Sequence, residues 1–193
     1  MRVANQVPLQ GVAPLQRAAK ILFESQGAAR SLCPMDADCL QLCLLAGAHH
    51  LAVRQVTALD VHGVEPYASH LTTVDFLRYW FYGGMAWCGL KDWPKALESF
   101  KIAVCMPATS LSAVVAEAYK KMVLVGLLAT GKAPALPPYT SDVVVRQLKH
   151  HGALYLRLAK AFSANDVAGL ADEVAKEEAA LNADKNLGLA NQV

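Results

Sequence analysis

The chain has 193 residues, a formal net charge of +2, and 54% hydrophobic residues. That length suffices for one domain burying roughly 70% of its unfolded surface. The charge is too weak to argue for a nucleic-acid partner, no apolar run approaches the roughly 20 residues of a membrane-spanning helix, and the N-terminus lacks the basic-then-apolar layout of a secretory leader. A mean hydropathy of +0.27 without a spanning segment points to apolar faces that partners cover.

In chain order, Met1 to about Pro14 carries Pro, Gly and Asn without a sustained period and reads as irregular. Leu15, Ala18, Ala19 and Leu22 predict a short amphipathic helix ending at Gly27. A connector through Cys33-Pro34 leads to Asp36, a candidate cap. Beyond it Leu40, Cys43, Leu44 and Ala46 predict a buried helix stopped at Gly47. Leu51, Ala52, Val56 and Leu59 form its return helix, and the segment Asp60 to Leu71, with a Gly and a Pro, reads as a loop.

Thr72-Thr73 with Asp75 open the most informative stretch, which follows the repeat signature W-x2-L-G-x2-Y…A-x3-F…P. Its positions are filled by Trp80, Gly83-Gly84, Trp87, Ala96, Phe100 and Pro107. Gly83 stands where Leu is usual and Trp87 where Tyr is usual. Trp80, Gly84 and Trp87 share one helix face, and Ala96, Phe100 and Ala103 share a second, so these six residues form the expected repeat core. The small Gly84 and Ala96 would let two backbones approach. Gly89 is placed to end the first helix in a left-handed conformation, Asp92 to cap the second, and Pro94 to sit in its first turn. The Ala52–Val56 spacing matches that of Ala96 and Phe100, so the earlier pair reads as a degenerate copy. Its offset exceeds the usual repeat of about 34 residues.

Leu111 to Thr130 is apolar nearly all round, as a helix sandwiched on two sides would be. Gly131 and the APALPPY run stop it. Ser141-Asp142 caps a shorter helix to about His150, Gly152 breaks the pattern, and Tyr155 to Phe162 forms another. Asn165-Asp166 opens a helix with Val167, Leu170, Val174 and Leu181 inward and Glu173, Lys176 and Glu177 outward. The closing DKNLGLANQV begins one more. No stretch alternates with period two for long enough to make a sheet. The expected fold is all-α, a tetratricopeptide-like solenoid of helix pairs over 15–193 after an irregular segment 1–14, with its core hairpin at about 73–107.

The chemistry-bearing residues are sparse. His49-His50 and His150-His151 are adjacent pairs that point about 100° apart on a helix and chelate one metal poorly. Both lie near expected helix ends. Cys39 and Cys43 share a helix face among leucines, and no second Cys/His pair has zinc-like spacing. The five cysteines, which also include Cys33, Cys88 and Cys105, fit buried thiols of a reducing compartment. Cys88 has no candidate base at a meaningful spacing. Lys120-Lys121 beside Tyr119, and Lys149 beside the histidines, read as solvated helix faces or electropositive contacts. Trp80 and Trp87 are explained as core, whereas Trp93 sits at a turn. No H-x-H pair of a metalloprotease occurs anywhere in the chain. The residues thus assign no catalytic, cofactor-binding or metal-binding position and single out no partner-binding residue.

Several segments resemble a known family. PLQGVAPLQRA (Pro8 to Ala18), DADCLQLCLLA (Asp36 to Ala46), YGGMAWCGLKDWPKALESFKIAV (Tyr82 to Val104), EAYKKMVLVGLLATGK (Glu117 to Lys132), LPPYTS (Leu136 to Ser141) and DKNLGLANQV resemble, in order, the subunit-three family of the COP-nine signalosome. This family is of the PCI type. The resemblance implies a helical-repeat arm followed by a winged helix, in a complex that deneddylates cullin-RING ubiquitin ligases. It places catalysis on a different subunit. The implied partners are other PCI-type signalosome subunits and, indirectly, cullin-RING ligases, with no cofactor, nucleic acid or membrane, and with residence in cytoplasm and nucleus. Family members have further helices before the point where this chain starts, and a winged helix after the segment like DKNLGLANQV. The chain is therefore expected to be the arm alone, folding but not entering the complex stably and self-associating weakly.

Two rivals use the same features. The paralogous proteasome-lid subunit shares the plan, but YGGMAWCGLKDW favours the signalosome. A free-standing tetratricopeptide module gripping a peptide carboxylate would need Lys, Asn or Arg on its inner helices, where this chain has apolar residues or glycine.

Overall fold

The computed structural model describes residues 7–26, 31–59, 70–106, 111–136, 140 and 142–193. Among them every regular element is helical and no strand occurs. The chain divides into two compact units, Met1–Asp92 and Trp93–Val193.

The first unit contains α1 (Val7–Gln10), α2 (Val12–Gln26), α3 (Pro34–Leu45), α4 (His49–Ala58) and α5 (Thr73–Gly89). Helix thus begins at Val7, inside the stretch expected to be irregular. Gly11 is a turn residue between the short α1 and the longer α2, and Pro14 falls in the first turn of α2, where no donor is needed. Pro34 opens α3, and Asp36 acts from inside it: its carboxylate accepts the Cys33 N–H at 2.9 Å. Thr72 and Asp75 cap α5 reciprocally, each backbone N–H donating to the other's side chain at 3.2 Å.

The core of this unit joins Val12, Leu32, Leu40, Cys43, Ala52, Tyr79 and Ala86, with Trp80, Phe76 and Val56 packed against it. Helix α5 packs on α3 and α4, and α2 on α3. Gly89 does not take the left-handed conformation expected of it; that falls to Lys91, at φ +59°. A Cβ at Gly89 would stand 2.4 Å from the His49 ring, so glycine there permits the start of α4 to approach the end of α5.

The second unit contains α6 (Trp93–Val104), α7 (Ala113–Thr130), α8 (Asp142–His151), α9 (Ala153–Ser163), α10 (Val167–Lys176), α11 (Glu178–Ala183) and α12 (Leu187–Ala190). Ser112 caps α7 by accepting the Val115 N–H at 3.2 Å, and Gly131 closes it in the left-handed region at φ +71°. Ten consecutive or near-consecutive positions of α7 are buried, Val115 to Leu127, as its all-round apolar sequence requires. It packs against α6 on one side and meets α8, α9 and α12 elsewhere. Gly152, between α8 and α9, lies so close to Tyr119 that an added Cβ would meet its ring at 2.5 Å.

The pair of helices expected at about 73–107 is divided by this arrangement. Its first member, α5, belongs to the first unit, and its second, α6, to the second. The single helix expected from Asn165 onward is broken at Glu177 into α10 and α11. Val167, expected inward, is 75% exposed, and α10 buries no residue at all. Gly27, residues 60–69, Pro107 and Ser141 lie outside the described residues.

Candidate interaction surfaces

The six expected repeat-core residues occupy the two units three by three. Trp87 is buried in α5 beside the buried Gly84. Trp80 is half-buried, edge-on to Phe76 at 6.2 Å and to Tyr79 at 5.5 Å between ring centres. Its indole N–H is enclosed without a hydrogen-bond partner among the described residues. In α6, Ala96, Phe100 and Ala103 are fully buried. Trp93 is half-buried at the start of the same helix.

The candidate ligand residues do not converge. His49-His50 open α4 instead of closing the helix before it. The His49 ring lies against Gly89 with Nδ1 enclosed and without a hydrogen-bond partner among the described residues, and His50 is exposed. His150 and His151 end α8 in solvent, with rings edge-on at 5.6 Å. Cys33, Cys39 and Cys43 are buried and none of them is in a disulfide among the described residues. Burial, reinforced by the nearby Asp36 carboxylate, pushes the Cys39 thiol up to about 12, so it is a poor thiolate. No group of three or more His, Cys, Asp or Glu is arranged to hold a metal among the described residues.

Lys120 and Lys121 are not the solvated face that the sequence suggested. Lys121 is only 5% exposed and donates to the Asn186 carboxamide. Lys120 donates to Glu117 at 2.7 Å and to Asp184 at 2.8 Å. Tyr155 donates to the other Asp184 oxygen at 2.7 Å, and Asn186 donates to the Tyr155 hydroxyl at 2.8 Å. Burial works against the Asp184 charge, but the hydrogen bonds from Lys120 and Tyr155 outweigh it, and the carboxyl stays below its usual range. Burial likewise lowers Lys120, and its bonds to Asp184 and Glu117 more than compensate, leaving it raised. Burial drives the Tyr155 hydroxyl upward, so it remains a donor.

The second unit also bears an open apolar groove of about 510 Å³, lined by Val167, Leu170 and Val174 of α10 and by Leu187, Ala190 and Val193. On the far face of α10, Arg157 bridges Glu173 at 3.2 Å and Glu177 at 2.7 Å. The second unit thus presents a groove, and its enclosed Lys121 and Asn186 are joined to Tyr155, Asp184 and Lys120 in one hydrogen-bonded cluster.

A family model described as COP9 signalosome complex subunit 3, N-terminal helical repeats, matches residues 1–144. Two curated proteins named COP9 signalosome complex subunit 3 are similar along nearly the whole chain. The one from Dictyostelium discoideum is 32% identical over 182 residues, which is 94% of this chain and 43% of that protein. The one from Arabidopsis thaliana is 33% identical over 186 residues, or 96% of this chain and 41% of that protein. The chain belongs to the COP9 signalosome subunit 3 family, and its all-α fold is that family's helical-repeat class. It spans about two fifths of the length of these relatives.

Proposed function

We propose that this chain serves as a non-catalytic scaffold part of the COP9 signalosome, the complex that deneddylates cullin-RING ubiquitin ligases. The observation that carries the reading is the near end-to-end match to two subunit 3 proteins. Contact through helix faces is the mode of action, with other PCI-type subunits as direct partners and cullin-RING ligases as indirect ones. Its place of work is the cytoplasm and nucleus. The Cys39 thiol is buried and raised, and the paired histidines stand at helix ends, which supports a role without catalysis.

The test is co-precipitation with the remaining signalosome subunits, paired with a deneddylation assay on a neddylated cullin. The tagged chain is compared with a full-length subunit carrying it. The full-length form is expected to recover partners and activity; the chain by itself recovers fewer partners and releases no modifier. Failure of both forms to recover any signalosome subunit would overturn membership of the complex. Deneddylation by the purified chain would overturn the non-catalytic role.

A further inference from the structure

The last sixteen residues of the second unit are held in an unusual way. From Glu178 to Val193 the buried side chains are Leu181, Asn186 and Ala190. Leu181 and Ala190 give non-directional apolar contact. The sequence EAALNADKNLGLA offers many near-equivalent alternatives to them, including Ala179, Ala180, Ala183, Leu187 and Leu189. A short Ala/Leu segment of this kind can sit on an apolar helix in several registers at similar apolar gain.

The polar groups have no such freedom. Lys185 adopts a left-handed conformation at φ +54° between Asp184 and Asn186. Both neighbours reach the same cluster: Asp184 takes Lys120 of α7 and Tyr155 of α9, and Asn186 takes Lys121 of α7 while donating to Tyr155. The Tyr155 hydroxyl is therefore both donor and acceptor, joining the two sides. Asn186 is 0% exposed, and sliding the segment by one turn would carry its amide away from Lys121 and Tyr155 and leave that amide enclosed without these partners. An enclosed polar group without a partner is penalised far more than a matched one is favoured.

We infer that the Lys120–Asp184–Tyr155–Asn186–Lys121 network sets the register of residues 184–193 on α7 and α9, while the apolar contacts supply most of the hold. Asn186 is the keystone of this device, since its amide is read from both sides. One consequence is local. Leu187, Ala190 and Val193 form one wall of the open groove, so the network also fixes the shape of that groove. Polar groups that cost stability yet select one arrangement are best attested where helices could otherwise slide.

The experiment uses the full 193-residue chain. Tyr155→Phe/Asn186→Leu exchanges the linking polar atoms for apolar ones of similar size, and Leu181→Ala trims apolar contact and leaves the network intact. Melting is followed together with amide hydrogen exchange and amide NMR spectra. For the double variant the melting temperature falls, because the enclosed Lys121 ammonium loses the Asn186 carboxamide. Exchange in 184–193 rises by roughly tenfold or more, and its amide resonances split into more than one set. Leu181→Ala lowers the melting temperature but keeps a single set. Tyr155→Phe alone, which retains the ring, reproduces the local effect more weakly. A single set with parental protection in both Tyr155 variants would show that packing alone places the segment. Loss of protection throughout α7 and α9 would show that the network supports the whole unit. Either result overturns the inference.

Discussion

A methyl group at Gly152 has nowhere to go. It would meet the Tyr119 ring at 2.5 Å and the Leu148 carbonyl at 2.9 Å. Neither is a loose end, because Tyr119 is buried and the carbonyl belongs to the backbone of α8. Gly152→Ala is therefore expected to destabilise by about 1–3 kcal/mol through overpacking; a thermal melt equal to the parent's would remove the close-approach argument. Charge at single residues gives a second expectation. The folded Asp184 carboxyl lies below its ordinary 3.8. Its contribution is therefore fully present above the unfolded value and disappears as pH falls through the folded one. Lys120 is raised above 10.5, so its contribution is present below that value and disappears only at strongly alkaline pH. Denaturant titrations at stepped pH should thus show an acid limb below about pH 4 that flattens in Asp184→Asn. An unchanged acid limb in that variant would mean that other carboxylates govern it.

At the scale of elements, α5 and α6 illustrate how one repeat signature supplies two separate faces. Gly84 is buried in α5 and Ala96 in α6, each in its own unit. Gly84→Leu should destabilise by about 1–3 kcal/mol, because added methylenes overfill a packed site. The gain of roughly 1 kcal/mol in helix propensity from replacing glycine opposes this only in part. A melting temperature at or above the parent's would show that the site has room. Helix α10 is the opposite case. Its apolar residues recur with helical spacing, yet they line an open groove and none is buried. Amphipathicity prepared a face that nothing in the described chain covers.

For the molecule as a whole, the described residues hold no cluster of His, Cys, Asp or Glu suited to a metal, and the buried contacts they show are those of helix packing. A chelator is accordingly expected to leave the melting curve of the chain unchanged, and elemental analysis should find no stoichiometric zinc. A lowered melting temperature with chelator would indicate a structural metal. No helix among the described residues is long and apolar enough to cross a membrane.

The helical class was legible in the residues alone, because local rules write it into neighbouring positions, and the family was legible through the resemblance of segments such as YGGMAWCGLKDW. Thr72 with Asp75 is a capping box within four residues, Gly131 ends α7 where an αL residue is needed, and the i, i+4, i+7 face of α5 repeats one short spacing. Other assignments needed the tertiary fold. The Lys120-Lys121 pair looks like an ordinary charged surface until Asp184 and Asn186, more than sixty positions later, arrive beside it. Only that arrival makes Lys121 a buried donor and Lys120 a half-buried one, since burial of a charge is tolerable only with partners in place. The same holds for Gly89, whose role is to admit the His49 ring, a contact made across forty residues of sequence. Sequence determined most of the helical segments and which faces would be apolar. The tertiary structure decided which faces were covered and which charges were enclosed, because burial depends on what comes to lie alongside.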